Sequence, residues 1–119
     1  MCVFCGVTDF VIENDLAGAF YDRFPVSKGH LLIIPKKHKM DYFDLSIAEK
    51  GAIDELLKVA KKIVEESYRP DGFNIGTNCG INAGQSIMHC HIHLIPRYIG
   101  DMTNPKGGVR GVIPSKQQY

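Results

Sequence analysis

Gly84-Gln85-Ser86-Ile87-Met88-His89-Cys90-His91-Ile92-His93-Leu94-Ile95-Pro96-Arg97-Tyr98 carries three of the chain's five histidines at strict two-residue spacing. Side chains on a β-strand alternate between faces. The spacing therefore predicts a strand with His89, His91 and His93 on one surface and Cys90, Ile92 and Leu94 packed into a core behind it. Half-buried strands are ordinarily filled with β-branched and aromatic residues, so a row of imidazoles points to chemistry. Imidazole titrates near neutrality and serves as nucleophile, base or metal ligand. Two readings follow: a row of zinc ligands, because His-x-His is a ligand spacing, or a nucleophilic middle imidazole flanked by positioning groups.

Upstream, three short apolar runs read as strands: Phe10 to Glu13, Ala17 to Arg23, and His30 to Ile34. The turn-like links between them imply an antiparallel meander, with Pro35 ending the third strand. Ser46-Ile47-Ala48-Glu49 is a capping-box signature. Beyond it, Ile53, Leu56, Leu57, Ala60, Ile63 and Val64 follow helical periodicity, predicting one long helix to about Tyr68 with an Asp54–Lys58 pair on its polar face. Arg69-Pro70-Asp71-Gly72 stops that helix. Phe73 to Cys79 reads as a fourth strand, and Gly80 to Gly84 as a loop whose small residues admit a phosphate close to backbone N–H groups. The expected class is α+β, an antiparallel sheet of about five strands packed against one long helix.

The chain's 119 residues, 45% of them hydrophobic, suit one domain over 1–119, with residues from about 97 forming a Gly- and Pro-rich C-terminal tail. A formal net charge of +1 offers no basic field for duplex nucleic acid or an anionic membrane. No apolar run approaches a membrane span and no secretory leader is evident, so a soluble, cytoplasmic protein is expected. Cys2 and Cys5 form a C-x-x-C pair, which in a reducing compartment reads as metal-binding or redox-active. Cys79 and Cys90 read as small core residues. Two thiolates are half of a tetrahedral zinc site, leaving two ligands to come from elsewhere, with His38 and His89 free to serve.

His89-Cys90-His91-Ile92-His93-Leu94-Ile95 resembles the His-x-His-x-His-x-x signature of the histidine-triad family of nucleotidyl hydrolases and transferases. The resemblance runs from Cys2 to about Tyr98. It implies that His91 is the nucleophile that attacks an α-phosphorus to form a covalent nucleotidyl-histidine. It also implies that His93 bonds the transferring phosphate, while Gln85 and Ser86 contact the phosphate and leaving group. His30 would polarise or orient the triad. Asp22 matches the position that binds ribose hydroxyls, although a turn-initiating Asp is the plainer reading. Asn78 matches a substrate-contacting amide. Phe20 and Phe4 read as core residues or as walls of a base pocket. Some relatives carry zinc, which implies a structural ion held by Cys2, Cys5, His38 and His89, with no metal at the phosphate.

The substrates implied are a dinucleoside polyphosphate or, alternatively, a purine nucleoside phosphoramidate. Arg97, Lys106 and Arg110 are candidates to meet distal phosphates. A homodimer is implied as well. Two other classes stay open: a nucleotide-sensing or interaction protein with negligible turnover, and a zinc hydrolase built on the histidine row.

Overall fold

A computed structural model describes residues 2–119. Five strands form one antiparallel sheet: β1 (Ile12–Glu13), β2 (Ala17–Tyr21), β3 (Leu31–Pro35), β4 (Gly72–Gly76) and β5 (Ile92–Arg97), in the order β1-β2-β3-β5-β4. The α+β class and the single long helix are as expected, and the strand limits are tighter. β1 takes only Ile12 and Glu13. β2 stops before Asp22, whose side chain opens a turn by accepting the Phe24 N–H at 2.9 Å. β4 ends at Gly76 and not at Cys79, and the histidine segment joins the ladder only at Ile92. His89, in a bend, and His91 therefore precede the strand, and the expected single surface of three imidazoles holds for His91 and His93 but not for His89, which the bend turns toward Cys2 and Cys5.

The helix α1 (Ile47–Tyr68) begins at a complete capping box. The Ser46 hydroxyl accepts the Glu49 N–H at 3.1 Å, and Glu49 Oε1 accepts the Ser46 N–H at 2.8 Å. Such a cap is worth about 1 kcal/mol. Burial pushes the Glu49 carboxyl up, but the Ser46 bonds and the Lys39 ammonium 3.4 Å away outweigh it and leave it lowered. The helix ends at Arg69, left-handed at φ 53°. On its polar face the i,i+4 pair formed is Lys61–Glu65, 3.4 Å apart, in place of the expected Asp54–Lys58.

One face of the sheet is sealed by this helix. Ala17, Ala19, Leu31, Ile33, Cys90, Ile92 and Leu94 pack against Ile53, Leu56, Ala60 and Val64 in a continuous core. Each large aliphatic side chain so buried contributes roughly 1.5–3 kcal/mol. The opposite face carries a smaller cluster, Leu32 and Ile34 beneath Phe4, with Phe10, Phe20 and Ile87 at its margin. The turn entering β3 passes close to the end of α1. Gly29 sits at φ +89°, and a Cβ there would lie 2.8 Å from the Tyr68 ring.

The tail is tied to itself and to the ends of β4 and β5. Arg97 makes two 2.8 Å bonds to Asp101 and one of 2.7 Å to Asn74. Lys106 bonds the Tyr119 carbonyl at 2.7 Å, and Arg110 bonds the carbonyls of Gln117 and Lys116 at 3.2 and 3.0 Å. These three cations are engaged by the tail and, for Arg97, by Asn74 of β4, and none of them lines the cavity described next, so the sequence expectation that they meet distal phosphates has no geometric support.

No helix among the described residues is long and apolar enough to cross a membrane.

Candidate functional site

On the face not covered by α1 lies an open cavity of about 910 Å³. Its lining includes His91, His93, Asp22, Phe20, Asn78 and Ser86, so six of the expected site residues share one space. β2 supplies Phe20 and, one residue past its end, Asp22; β5 and the chain preceding it supply the imidazoles. Of the far wall, the sequence reading offers only Phe4. That wall is made by the irregular segment from Val3 to Val11.

Main-chain neighbours set the orientation of each ring. His91 Nδ1 lies 2.9 Å from the carbonyl of His89 and donates its proton there, which in the neutral ring places the lone pair on Nε2. The peptide groups around it are pinned in turn. The Cys90 N–H donates to the Lys39 carbonyl at 2.7 Å, and the Thr77 hydroxyl donates to the His91 carbonyl at 2.8 Å. Thr77 is a supporting residue that sequence reasoning missed, since nothing in its local pattern marks a hydroxyl aimed at a neighbouring strand.

His30 is 2% exposed, and its Nδ1 accepts the Val26 N–H at 3.0 Å. Its proton must then sit on Nε2, which lies 2.9 Å from His93 Nδ1 and donates to it. His93, accepting at Nδ1, keeps its own proton on Nε2. Burial holds the His30 imidazole below its ordinary value, against the opposing pull of Asp22. Burial, reinforced by His91 and His30 and opposed by Asp22, takes His93 down to about 4. Both rings are neutral at pH 7, so the 3.5 Å approach of Asp22 Oδ2 to His30 Nε2 is a long polar contact and not an ion pair. Asp22, His30 and His93 cluster closely enough to suggest a cation site. The Val26 N–H rules against it: a metal at His30 Nε2 would require an imidazolate with Nδ1 already committed. His30 and His93 are joined by one hydrogen bond, with the Asp22 carboxylate beside them at 3.5 Å.

Two expected contacts are directed elsewhere. Gln85 is 3% exposed and lies outside the cavity lining. Its amide donates to the carbonyls of Met40 and Ile87 at 2.7 and 3.0 Å and accepts the Gly80 N–H at 2.8 Å, which leaves it no group for a phosphate. The Gly80–Gly84 loop likewise bonds the amides of Ala83, Gly84 and Gln85 to its own carbonyls. The loop shapes the approach to Ser86 without presenting those N–H groups.

His89 turns away from the cavity. It is fully buried, and its Nε2–H donates to the Pro35 carbonyl at 2.8 Å. That bond leaves the Nδ1 lone pair facing Cys2 Sγ at 3.4 Å and Cys5 Sγ at 3.5 Å, while His38 Nδ1 lies 3.3 Å from Cys5 Sγ. The four donor atoms all fall within 4.8 Å of one another. A tetrahedral ion with Zn–S near 2.3 Å and Zn–N near 2.0–2.1 Å needs S···N edges of about 3.6 Å. The cluster fits that geometry and can bind a metal. Four protein ligands leave no open position, so such an ion would be structural. Cys90 is a different kind of cysteine: 1% exposed, with burial pushing its thiol up to about 12.

A family profile described as the HIT domain matches residues 7–100. A HIT family protein from Bacillus anthracis superposes with a TM-score of 0.79 at 37% identity, covering 84% of this chain and 75% of that one. A diadenosine triphosphate hydrolase from Plasmodium falciparum, solved with cyclomarin A, gives 0.74 at 33% identity over 80% of this chain and 65% of that one. A zinc-bound histidine triad family protein from Mycobacterium smegmatis gives 0.76 at 30% identity over 87% and 79%.

Proposed function

The chain belongs to the HIT domain family, and from that premise we propose that it is a nucleotide hydrolase acting at the α-phosphate of a dinucleoside polyphosphate through a covalent intermediate on His91. The observation that carries this is the orientation of the His91 ring. Its Nδ1 proton is held by the His89 carbonyl, which puts the neutral ring's lone pair on Nε2, and His91 lines a cavity large enough for a nucleotide. A phosphoanhydride resists water because an incoming oxygen meets negative charge, and a neutral imidazole meets less of it.

His91 Nε2 forms a bond to the α-phosphorus as the bond from that phosphorus to the bridging oxygen breaks. The electron pair leaves with the departing phosphate. His93, neutral with its proton on Nε2, donates a hydrogen bond to the phosphoryl oxygens as charge gathers on them. Water then attacks phosphorus, the P–N bond breaks, its pair returns to His91 Nε2, and the proton lost by the water goes to solvent as a nucleoside monophosphate is released. Asp22, with Oδ1 committed to Phe24 N–H, has Oδ2 left for the ribose hydroxyls, and Phe20 flanks the base. Asn78 and Ser86, which share the lining, are the polar contacts for the phosphate chain.

Cys2, Cys5, His38 and His89 would hold a zinc ion whose contribution is to fix the N-terminal segment, remote from the phosphate. The unpaired outer edge of β4, with Ile75 53% exposed, supports association with a second copy. A nucleoside phosphoramidate would use the same nucleophile, and the cavity does not distinguish the two leaving groups. The similarity to a diadenosine triphosphate hydrolase favours the polyphosphate.

The test is mass spectrometry of the protein acid-quenched during turnover of diadenosine tetraphosphate, with an adenosine phosphoramidate in parallel. A nucleotidyl mass on the peptide containing His91 is expected. Turnover with no adduct on that peptide at any quench time would remove the covalent scheme.

A further inference from the structure

The segment from Cys2 to Phe10 forms one wall of the cavity, and it is weakly tethered. Among the described residues its only backbone hydrogen bond is local, Val7 N–H to the Phe4 carbonyl. Its side-chain polar contacts to the rest of the molecule are those of Cys2 and Cys5 with His38 and His89. A second cavity, of about 280 Å³ and lined in part by Cys5, Val7, Thr8 and Phe10, lies against the same segment, whose apolar anchors are Phe4, Val7 and Phe10 on the small cluster of Leu32 and Ile34.

Between the two thiols stands Phe4, 7% exposed and the one fully buried side chain of the wall. Its ring meets Phe20 edge-on at 5.4 Å between centroids, His91 at 5.1 Å and His89 at 6.0 Å. Phe4 therefore touches a residue of the cavity floor, the ring with the free Nε2, and one of the four metal donors at once. An ion that draws Cys2, Cys5, His38 and His89 together must also press Phe4 into place. A nucleotide seated against Phe20 and His91 must in turn favour the position of Phe4 that brings the thiols to His89.

We propose that metal occupancy of the Cys2/Cys5/His38/His89 cluster and nucleotide binding in the cavity are thermodynamically linked, with Phe4 as the positioning residue that carries the linkage. This rests on the nucleotide reading above. The core against α1 excludes the wall altogether, so the linkage runs through the wall and not through the fold. Linkage of this kind is reciprocal: the factor by which zinc improves nucleotide affinity equals the factor by which the nucleotide improves zinc affinity.

The experiment uses the full chain, zinc-loaded and chelator-stripped, with zinc chloride and adenosine monophosphate as probes. Calorimetry should give adenosine monophosphate affinity about tenfold weaker in the stripped protein, a typical site-to-site coupling. Competition against a chromophoric chelator should give zinc affinity higher by the same factor at saturating nucleotide. Hydrogen exchange of the Val3–Phe10 amides should slow on zinc loading. In Phe4→Ala, which keeps all four ligands, zinc stoichiometry should be retained and the factor should fall to near one.

Equal nucleotide affinity with and without zinc, or wall exchange indifferent to zinc, overturns the linkage and leaves the hydrolase reading standing. No nucleotide binding by the loaded protein overturns that reading itself. The full tenfold factor persisting in Phe4→Ala means that the coupling runs through global folding, and overturns the role given to Phe4.

Discussion

On one face of the sheet, the 22-residue helix α1 covers aliphatic side chains that are almost wholly withdrawn from water, and its start is fastened by a two-way cap. On the other face, a wall held among the described residues by one local backbone bond at Val7 and one to β2 at Val11 covers two of the imidazoles and a cavity. The first face is where burial accumulates and stability resides. The second gives up close packing, and in exchange holds polar rings in fixed tautomers next to an open space. A strand alternating His with Cys, Ile and Leu is what allows one segment to serve both sides at once.

This contrast is most directly broken at its two extremes. His91→Asn should lower turnover about 10⁴-fold or more while leaving thermal melting where it was, because the ring contributes chemistry to the open face and little to the sealed one. Retention of more than about a tenth of the activity would place the nucleophile elsewhere. Leu56→Ala should do the opposite. A loss of about 2–5 kcal/mol in urea unfolding is expected, with unchanged turnover per folded molecule. Reduced turnover in the folded fraction would show that the faces are not separable.

His30→Phe keeps the ring's bulk but removes the donor to His93 Nδ1. Turnover should fall about 10- to 100-fold, the scale of one lost orienting bond, with a changed pH profile because His93 is freed to take either tautomer. An unaltered profile would reduce His30 to a packing residue.

The smallest effect is on stability against pH. His93 titrates near 4 when folded and near its ordinary 6.5 when unfolded, so in the interval between them the unfolded chain binds the extra proton. Stability should therefore decline as pH falls from about 6.5 toward 4, and His30, also lowered, adds in the same direction. Melting measured across that interval should slope downward toward acid, and His93→Asn should flatten part of the slope. A level wild-type curve would mean the ring is solvated, contrary to its hydrogen bond from His30.

Much of the sealed face was legible from sequence because periodicity and burial coincide there. Ile53, Leu56, Ala60 and Val64 announce a helix face, and Ser46 with Glu49 announces its start. The open face was legible only in part. The spacing of His89, His91 and His93 exposed the row, and the resemblance supplied roles that composition could not. Which ring turns to the cavity and which to the thiols is decided by the carbonyls of His89 and Pro35, and main-chain atoms leave no mark on a sequence pattern. Gln85 shows the same limit. The resemblance makes it a phosphate contact, yet its three hydrogen bonds tie Gly80, Met40 and Ile87 together. Most of the wall from Val3 to Val11 carries no long periodic pattern, and its place depends on distant partners: the thiols meet His38 and His89, and Phe4 packs on Leu32 and Ile34.

The left-handed turn at Gly29 joins the two faces mechanically. The close fit of its bare α-carbon against Tyr68 means that even a single methyl added there would collide with an aromatic ring at the tail of the helix and strain the backbone. The displaced neighbour would be His30, next along the chain. A lesion on the structural side, touching neither substrate nor metal ligands, would thus be felt as a defect in proton placement at His93. Position 29 behaves as a hinge pin whose fault surfaces some distance from where it was made.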